Sequence, residues 1–344
     1  MPTATPVIRR PVLALPEHEV SLDEVLEHLQ REYADNPDLA RALRAVRACG
    51  VKTRRYSRPL ADLAKVSLGE RVRWHFDDAC DLSEAAARQA LDEAGLAPED
   101  VHTLITATSA GYLMPGLDVA LVQRLGLPPT VRRMPVLYLG CAAAPHVLGH
   151  ATEQAARHPG KAVLVTCADL FVPLLHPDDT GLDTMIFRGL MADGAAACVV
   201  QTTDDPHGPS VTDTYSYTQP GTADIVGYRL DDDGFHGFNS ARLLTTIETL
   251  VPRLTDWLGD PPEFVITHPG GPRILRILAA GIPNGPALLQ KAHQSLSAHG
   301  NMGAPSTMDI LARTFDDPPP PGSRGVLIGL GPGVTLTACR TEWH

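Results

Sequence analysis

The chain has 344 residues, 44% of them hydrophobic and 20% charged, with a formal net charge of -11 and a pI near 5.6. That length can bury a large core as one domain or as two packed halves, and the acidic balance excludes a nucleic-acid binder, which needs a concentrated basic face. No stretch approaches eighteen consecutive apolar residues, and the start "MPTATPVIRRPVLALPEHEV" lacks an uninterrupted apolar core, so neither a membrane span nor a signal peptide is expected and a cytoplasmic location is.

Residues 21–49 read as helical, with "SLDE" offering a capping box between Ser21 and Glu24. "DLSEAAARQALDEAGL" predicts a second helix, capped at Ser83 and stopped at Gly95. Beyond it strands alternate with helices. "VHTLITAT" (101–108), "PVLYLG" (135–140), "KAVLVTC" (161–167) and "AAACVVQ" (195–201) are short, apolar and β-branched, as buried strands of a layered α/β sheet are. The polar "TTDDPHGPS" (202–210) separates this half from the next, so the expected units are 1–205 and 206–344.

In the second half come "FVITHPGG" (264–271), a helix around 286–297, "GNMGAPSTMDILART" (300–314), a proline-rich loop and "GVLIGLGPGVTLTA" (325–338). The order repeats that of the first half. "LITATSAG" answers "FVITHPGG", "LGCAAAPHVL" answers "HGNMGAPSTM", and "AVLVTCAD" answers "GVLIGLGP". A repeat on this scale predicts two similar α/β halves packed together rather than a short-period solenoid.

On that overlay Cys141 and Asn301 fall at equivalent helix starts, while His268 ends a strand. Packing about a pseudo-two-fold axis would bring the three together. A thiol at a helix N-terminus beside His⁺ is expected to ionise near neutral pH and to accept an acyl group from a thioester. His268 and the Asn301 amide could then donate to a thioester carbonyl and stabilise the enolate left when a malonyl group loses CO2. Singly, each residue has a plain explanation: a small buried thiol, a turn histidine, an asparagine tolerant of turn geometry. Joint placement at duplicated positions favours the site.

The remaining cysteines, at 49, 80, 167, 198 and 339, form no C-x-x-C pair, so neither a zinc site nor a disulfide framework is expected. "GLGPG" lacks the βαβ context of a dinucleotide loop, "RLDDDGFHGF" lacks EF-hand spacing, and "LLHPDD" lacks the spacing of a metal site.

At these residues the sequence resembles the type III polyketide synthases, the chalcone synthase family of the thiolase superfamily. The motifs are "GYLMPGLD" (111–118), "LGCAAA", "DTGLDTMIFRGLMADGAAA" (179–197), "THPGGPRIL", "GNMGAP" and "GLGPGVT" (329–335), in family order over nearly the whole chain. Among subgroups it is most similar to the bacterial tetrahydroxynaphthalene synthases, on "RPVLALPEHEVS", "DDDGFHGF", "HPGGPRIL" and "RTFDD".

The resemblance implies a thiolase-like fold of two duplicated α/β halves in five layers, α-β-α-β-α. It implies Cys141 as acyl acceptor, His268 and Asn301 as the decarboxylation pair, and no metal or redox cofactor. Malonyl-CoA or another acyl-CoA is then the substrate. It implies a homodimer in which the loop carrying Met114 reaches into the partner's cavity, Phe235 as gatekeeper between CoA tunnel and cavity, and Tyr228 as an aromatic cavity residue.

Several positions depart from the family pattern. Met191 stands for a second gatekeeper phenylalanine. Phe171 and Leu174 replace smaller cavity residues, and Ser109 stands where the subgroup has a second cavity cysteine. Pro145 and Pro305 each remove a backbone donor near the site, within a first helical turn. The basic cluster of Arg44, Arg47, Lys52, Arg54 and Arg55 is either a solvated helix face or an attraction for CoA phosphates. Arg47, Lys52 and Arg54, with Gly271, are the candidate CoA contacts.

The expected function is iterative, decarboxylative condensation of malonyl-CoA on a Cys-bound starter, giving a small aromatic or pyrone product. Two rivals stay open. A non-elongating acyltransferase would pass the acyl group to a hydroxyl or amine, and a non-catalytic relative would serve only in dimerisation.

Overall fold

The computed structural model describes residues 5–63, 65–109, 111, 113–176, 179–204, 206–231 and 234–344. The chain opens with strands β1 (Thr5–Ile8) and β2 (Val12–Ala14). It then pairs β3 (His18–Ser21) with β4 (Thr53–Tyr56) around helices α1 (Leu22–Glu32) and α2 (Leu39–Ala48). A single turn, α3 (Leu60–Leu63), precedes the long helix α4 (Leu68–Ala94). Next come β5 (Val101–Thr108), α5 (Leu117–Leu125), β6 (Arg132–Leu137), α6 (Ala143–Arg157), β7 (Ala162–Asp169), α7 (Leu182–Leu190) and β8 (Gly194–Thr203). The second half holds β9 (Pro209–Thr218), the hairpin β10 (Val226–Asp231) and β11 (Gly234–Asn239), α8 (Leu243–Leu258) and β12 (Phe264–Thr267). It closes with α9 (Pro272–Gly281), α10 (Gly285–Leu288), α11 (Gln290–His299), α12 (Ala304–Asp316), β13 (Arg324–Gly331) and β14 (Thr335–Trp343).

Two sheets form. The first has the order β1-β8-β7-β5-β6, with β2 also on β8, and the second β12-β13-β14-β9. The expected overlay is visible in the pairing: β5 lies parallel to β7, and β12 parallel to β13. Strand β7 is buried along its whole length, which is why it reads as an unbroken apolar run. The division expected at residue 205 falls between β8 and β9, on a residue outside those described.

Helices α6 and α12 lie between the sheets, each packing on strands of both. Helices α4 and α5 cover the outer face of the first sheet, while α8 and α9 cover the second. The five layers are thus α-β-α-β-α. One apolar cluster runs through the middle, with Val147, Leu148, Val165, Ile266, Ile310, Leu311 and Ile328 among its fully buried members. Each such side chain contributes about 1.5–3 kcal/mol by leaving water.

The structure corrects several element boundaries. The helix expected over 21–49 is two, because the chain turns after Tyr33 and Pro37 disfavours helix at the residue before it. The capping box is present, with the Glu24 carboxylate accepting from the Ser21 N–H at 2.7 Å. Ser83 is not a cap. Helix α4 begins at Leu68 behind Ser67, and its buried stripe runs on through His75, Ala79, Cys80, Ser83 and Ala87 at helical spacing. Gly95 does end it, in the left-handed region at φ 67°. The segment 325–338 is a hairpin, not one strand, and the helix near 286–297 breaks at Leu289. Among the described residues no helix is long and apolar enough to cross a membrane.

Candidate active site

The strand expected at 135–140 stops at Leu137, since the chain must then turn inward to present Cys141. Tyr138 and Gly140 take positive φ, 67° and 54°, and Cys141 sits in the single 3-10 turn Gly140–Ala142 that runs into α6. Strand β13 supplies the seat. A Cβ on Gly331 would lie 2.4 Å from the Leu139 carbonyl oxygen, and one on Gly329 would lie 2.9 Å from Ala142 Cα. Only glycine lets the two backbones approach this closely. Strand β14 adds two hydrogen bonds, from Thr337 Oγ1 to the Ala142 carbonyl (2.6 Å) and from Cys339 Sγ to the Pro145 carbonyl (3.0 Å). Pro145 and Pro305 both lie in first turns, where an N–H has no helical partner to lose.

His268 follows β12 directly and is held there by its N–H, which donates to the Ile328 carbonyl at 2.9 Å. Asn301 precedes α12 and is tied on both sides of its peptide: its N–H donates to Leu190 and its carbonyl accepts from Ala192, each at 2.9 Å. Its side-chain oxygen accepts from the Gly303 N–H at 2.9 Å, which fixes the amide's orientation. The same amide is near enough to the Cys141 sulfur to favour its ionised form. Cys141, His268 and Asn301 all line one cavity of about 470 Å³.

The electrostatics differ from the expected thiolate and imidazolium. Burial, with the nearby Asp169 carboxylate, pushes the Cys141 thiol far up, and burial brings His268 down to about 4. One short 3-10 turn inside a dry site does not offset that desolvation. Burial therefore favours the neutral form of each group. Alkylation of the free protein by iodoacetamide should accordingly keep accelerating with pH through 9. A plateau near neutrality, read from the rate of Cys141 modification, would mean that a thiolate is already present.

Aromatic rings form the far wall. Phe171 stacks on Tyr228 with centroids 6.0 Å apart, and Phe187 lies 5.8 Å from the same ring. Ser109 and Met191 also line the cavity, as expected. Phe187 and Phe238 were not singled out from sequence. Phe187 stands four residues before Met191, a spacing that puts both on one helical face.

Three expectations are corrected. Phe235 does not line the cavity: it packs with Leu174 against Leu68 and Val72, and Phe238, on the opposite face of β11, is the ring that does. Leu174 leaves the cavity with it. Met114, expected in a partner's cavity, is 97% exposed on its own chain. Arg54 is fully buried, and its guanidinium donates to the carbonyls of Gly189 (2.7 Å) and Val51 (3.2 Å), so it closes the C-terminal end of α7 rather than meeting a phosphate. Replacing Arg54 by Ala should cost about 3 kcal/mol in denaturant unfolding, with no change in KM for a CoA thioester. A raised KM at unchanged stability would restore the CoA assignment.

Arg47 and Lys52 are exposed and Gly271 is buried at the start of α9; none of the three lines the cavity. Tyr112 of "GYLMPGLD", Pro177 and Asp178 of "LLHPDD", and Asp232 and Asp233 of the acidic loop lie outside the described residues. Among the described residues no group of His, Cys, Asp and Glu could hold a metal ion.

Two buried carboxylates went unnoticed in the sequence. Asp193, raised to about 6 by burial, accepts from the N–H groups of Ser57, Phe171 and Val172 and from the Ser57 hydroxyl, so it anchors the wall that carries Phe171. Asp169 ends β7 beside the site.

Residues 57–206 match the family described as "Chalcone and stilbene synthases, N-terminal domain". The chain is 31% identical over 343 residues to 1,3,6,8-tetrahydroxynaphthalene synthase of Streptomyces coelicolor, covering 97% of this chain and 91% of that one. The chain belongs to the type III polyketide synthases. It is also 29% identical to the phloroglucinol synthase of Pseudomonas fluorescens, over 97% of this chain and 98% of that protein. The crystal structure of the S. coelicolor synthase superposes with a TM-score of 0.93 at 30% identity, covering 98% of this chain and 99% of its own. The thiolase-like architecture of this type III synthase is therefore that of its relatives.

Proposed function

We propose that Cys141 carries the growing acyl chain while His268 and Asn301 bind the thioester carbonyl, and that the reaction is repeated decarboxylative condensation of malonyl-CoA. The carrying observation is that all three side chains face one cavity, with the Asn301 amide fixed by the Gly303 N–H. As the thiol attacks a CoA thioester, its proton passes to neutral His268 and then to the departing CoA sulfur. A second malonyl thioester next loses CO2, and the electron pair of the broken C–C bond moves into an enolate. His268 and Asn301 stabilise its oxygen. The enolate carbon attacks the Cys141 thioester, whose C–S bond breaks as the new C–C bond forms.

A cavity of about 470 Å³ is in the range of small-molecule sites. With Leu174 turned away, the rings of Phe171, Phe187 and Tyr228 set its size. Together with the likeness to tetrahydroxynaphthalene synthases, this supports a small aromatic product built from malonyl-CoA as both starter and extender. The halves 1–205 and 206–344 divide the work, the first giving the thiol and the second the imidazole and amide.

The synthase is further proposed to be a cytoplasmic homodimer with no nucleic-acid or membrane partner. Strand β6 is an uncovered edge of the first sheet, and Leu113, Met114, Leu137 and Tyr138 are exposed beside it. Light scattering at micromolar concentration should give twice the chain mass; a monomer would remove the dimer.

The deciding experiment incubates the protein with malonyl-CoA alone and follows CO2, intact-protein mass and products together. CO2 with an oligoketide supports the reading. An acylated Cys141 without CO2 would replace it with a non-elongating acyltransferase.

A further inference from the structure

Asp169 lies just outside the cavity and is fully buried. Its carboxylate accepts two backbone hydrogen bonds, from the N–H of Ser109 at 2.7 Å and from the N–H of Ala304 at 2.9 Å. The residue before Ala304 is Gly303. Its N–H donates to the side-chain oxygen of Asn301 at 2.9 Å. Gly303 holds φ 67°, and a Cβ there would stand 2.2 Å from a carboxylate oxygen of Asp169. The carboxylate occupies the space that a side chain at 303 would need.

One peptide segment thus faces two ways. Toward the cavity it sets the Asn301 amide; away from it, Asp169 grips its next N–H and fastens that N–H to the Ser109 turn. We propose that Asp169 is the positioning residue of the Asn301 amide, acting through the Gly303–Ala304 peptide. This rests on the reading of that amide as a carbonyl-binding group of the decarboxylation. Asp169 touches no reacting atom. Its effect is to hold the donor where the enolate oxygen develops, an outer support of the kind that costs about 10–100-fold when removed from a site.

Burial raises the pKa of Asp169, against the hydrogen bonds from Ala304 and Ser109 that favour the ionised group. The test is Asp169→Asn. An asparagine keeps one acceptor oxygen but sets its NH2 against the second backbone N–H, so one arm of the clamp opens with little change of volume. Acylation of Cys141, read by protein mass after a brief malonyl-CoA pulse, should stay within about 3-fold of wild type. CO2 release should fall about 10–100-fold through kcat, with KM little changed. Gly303→Ala, which presses on the carboxylate from the other side, should give the same split.

Equal losses in acylation and CO2 release would overturn the proposal, because a merely structural pin lowers both. So would a lowered melting temperature with both steps intact. Asn301→Ala in parallel marks the loss expected when the donor itself is gone. Absence of CO2 from the wild-type protein would count against the reading of His268 and Asn301, and with it against Asp169.

Discussion

Cys141→Ala should give a protein of wild-type stability that forms no acyl adduct with any CoA thioester and turns over at least about 10⁴-fold more slowly. The magnitude follows from what is removed. The thiol is the atom to which the growing chain is bound, and no second nucleophile lines the cavity at an equivalent place. The fold should not notice, because the turn is held by backbone contacts to Gly329 and Gly331 and by the bonds from Thr337 and Cys339, none of which involves the sulfur. Intact-protein mass and product formation, measured together, decide the matter. Normal turnover by the alanine protein would end the covalent mechanism.

Asn301→Ala should separate the two chemical steps. Acylation needs the thiol and His268 and should survive, whereas CO2 release should fall about 10²–10³-fold, the usual loss when one preorganised donor to a developing oxyanion is deleted. The variant also leaves the Gly303 N–H without its acceptor, so a modest loss of stability should accompany it. Single-turnover mixing with malonyl-CoA reads both steps. An adduct that forms at the normal rate, with CO2 released at the normal rate, would assign the enolate to other groups. The pH dependence adds a second check. With His268 near 4, the acid limb of acylation should lie near pH 4, where protonation removes the base, rather than at the usual histidine value.

Much of this was legible before any coordinates. The duplicated order of strands and helix starts was visible because buried strands are written as short apolar runs and the turns after them as Gly, Pro, Asn and His. That pattern located Cys141, His268 and Asn301. What the sequence hid depends on partners distant along the chain. Phe235 and Phe238 are three residues apart in one strand, and which of them faces the cavity is decided by how β10 and β11 pair and lie on α7. Arg54 reads as a surface cation until Gly189, 135 residues on, is seen to receive its hydrogen bond. The ionisation of Cys141 depends on its surroundings for a similar reason: a helix start favours a thiolate, and desolvation in the site pushes the thiol the other way.

The glycine-lined seat beneath the nucleophile has a consequence for when the enzyme comes into being. Residues 324–343 follow all three site residues along the chain, yet they make the hairpin on which the Cys141 turn rests. A nascent chain already holding Cys141, His268 and Asn301 has nowhere to set its thiol until that hairpin slides between β12 and β9. Reactivity is thereby postponed until residues 324–343 have been made, and a chain cut short before residue 324 would carry every chemical group and no activity.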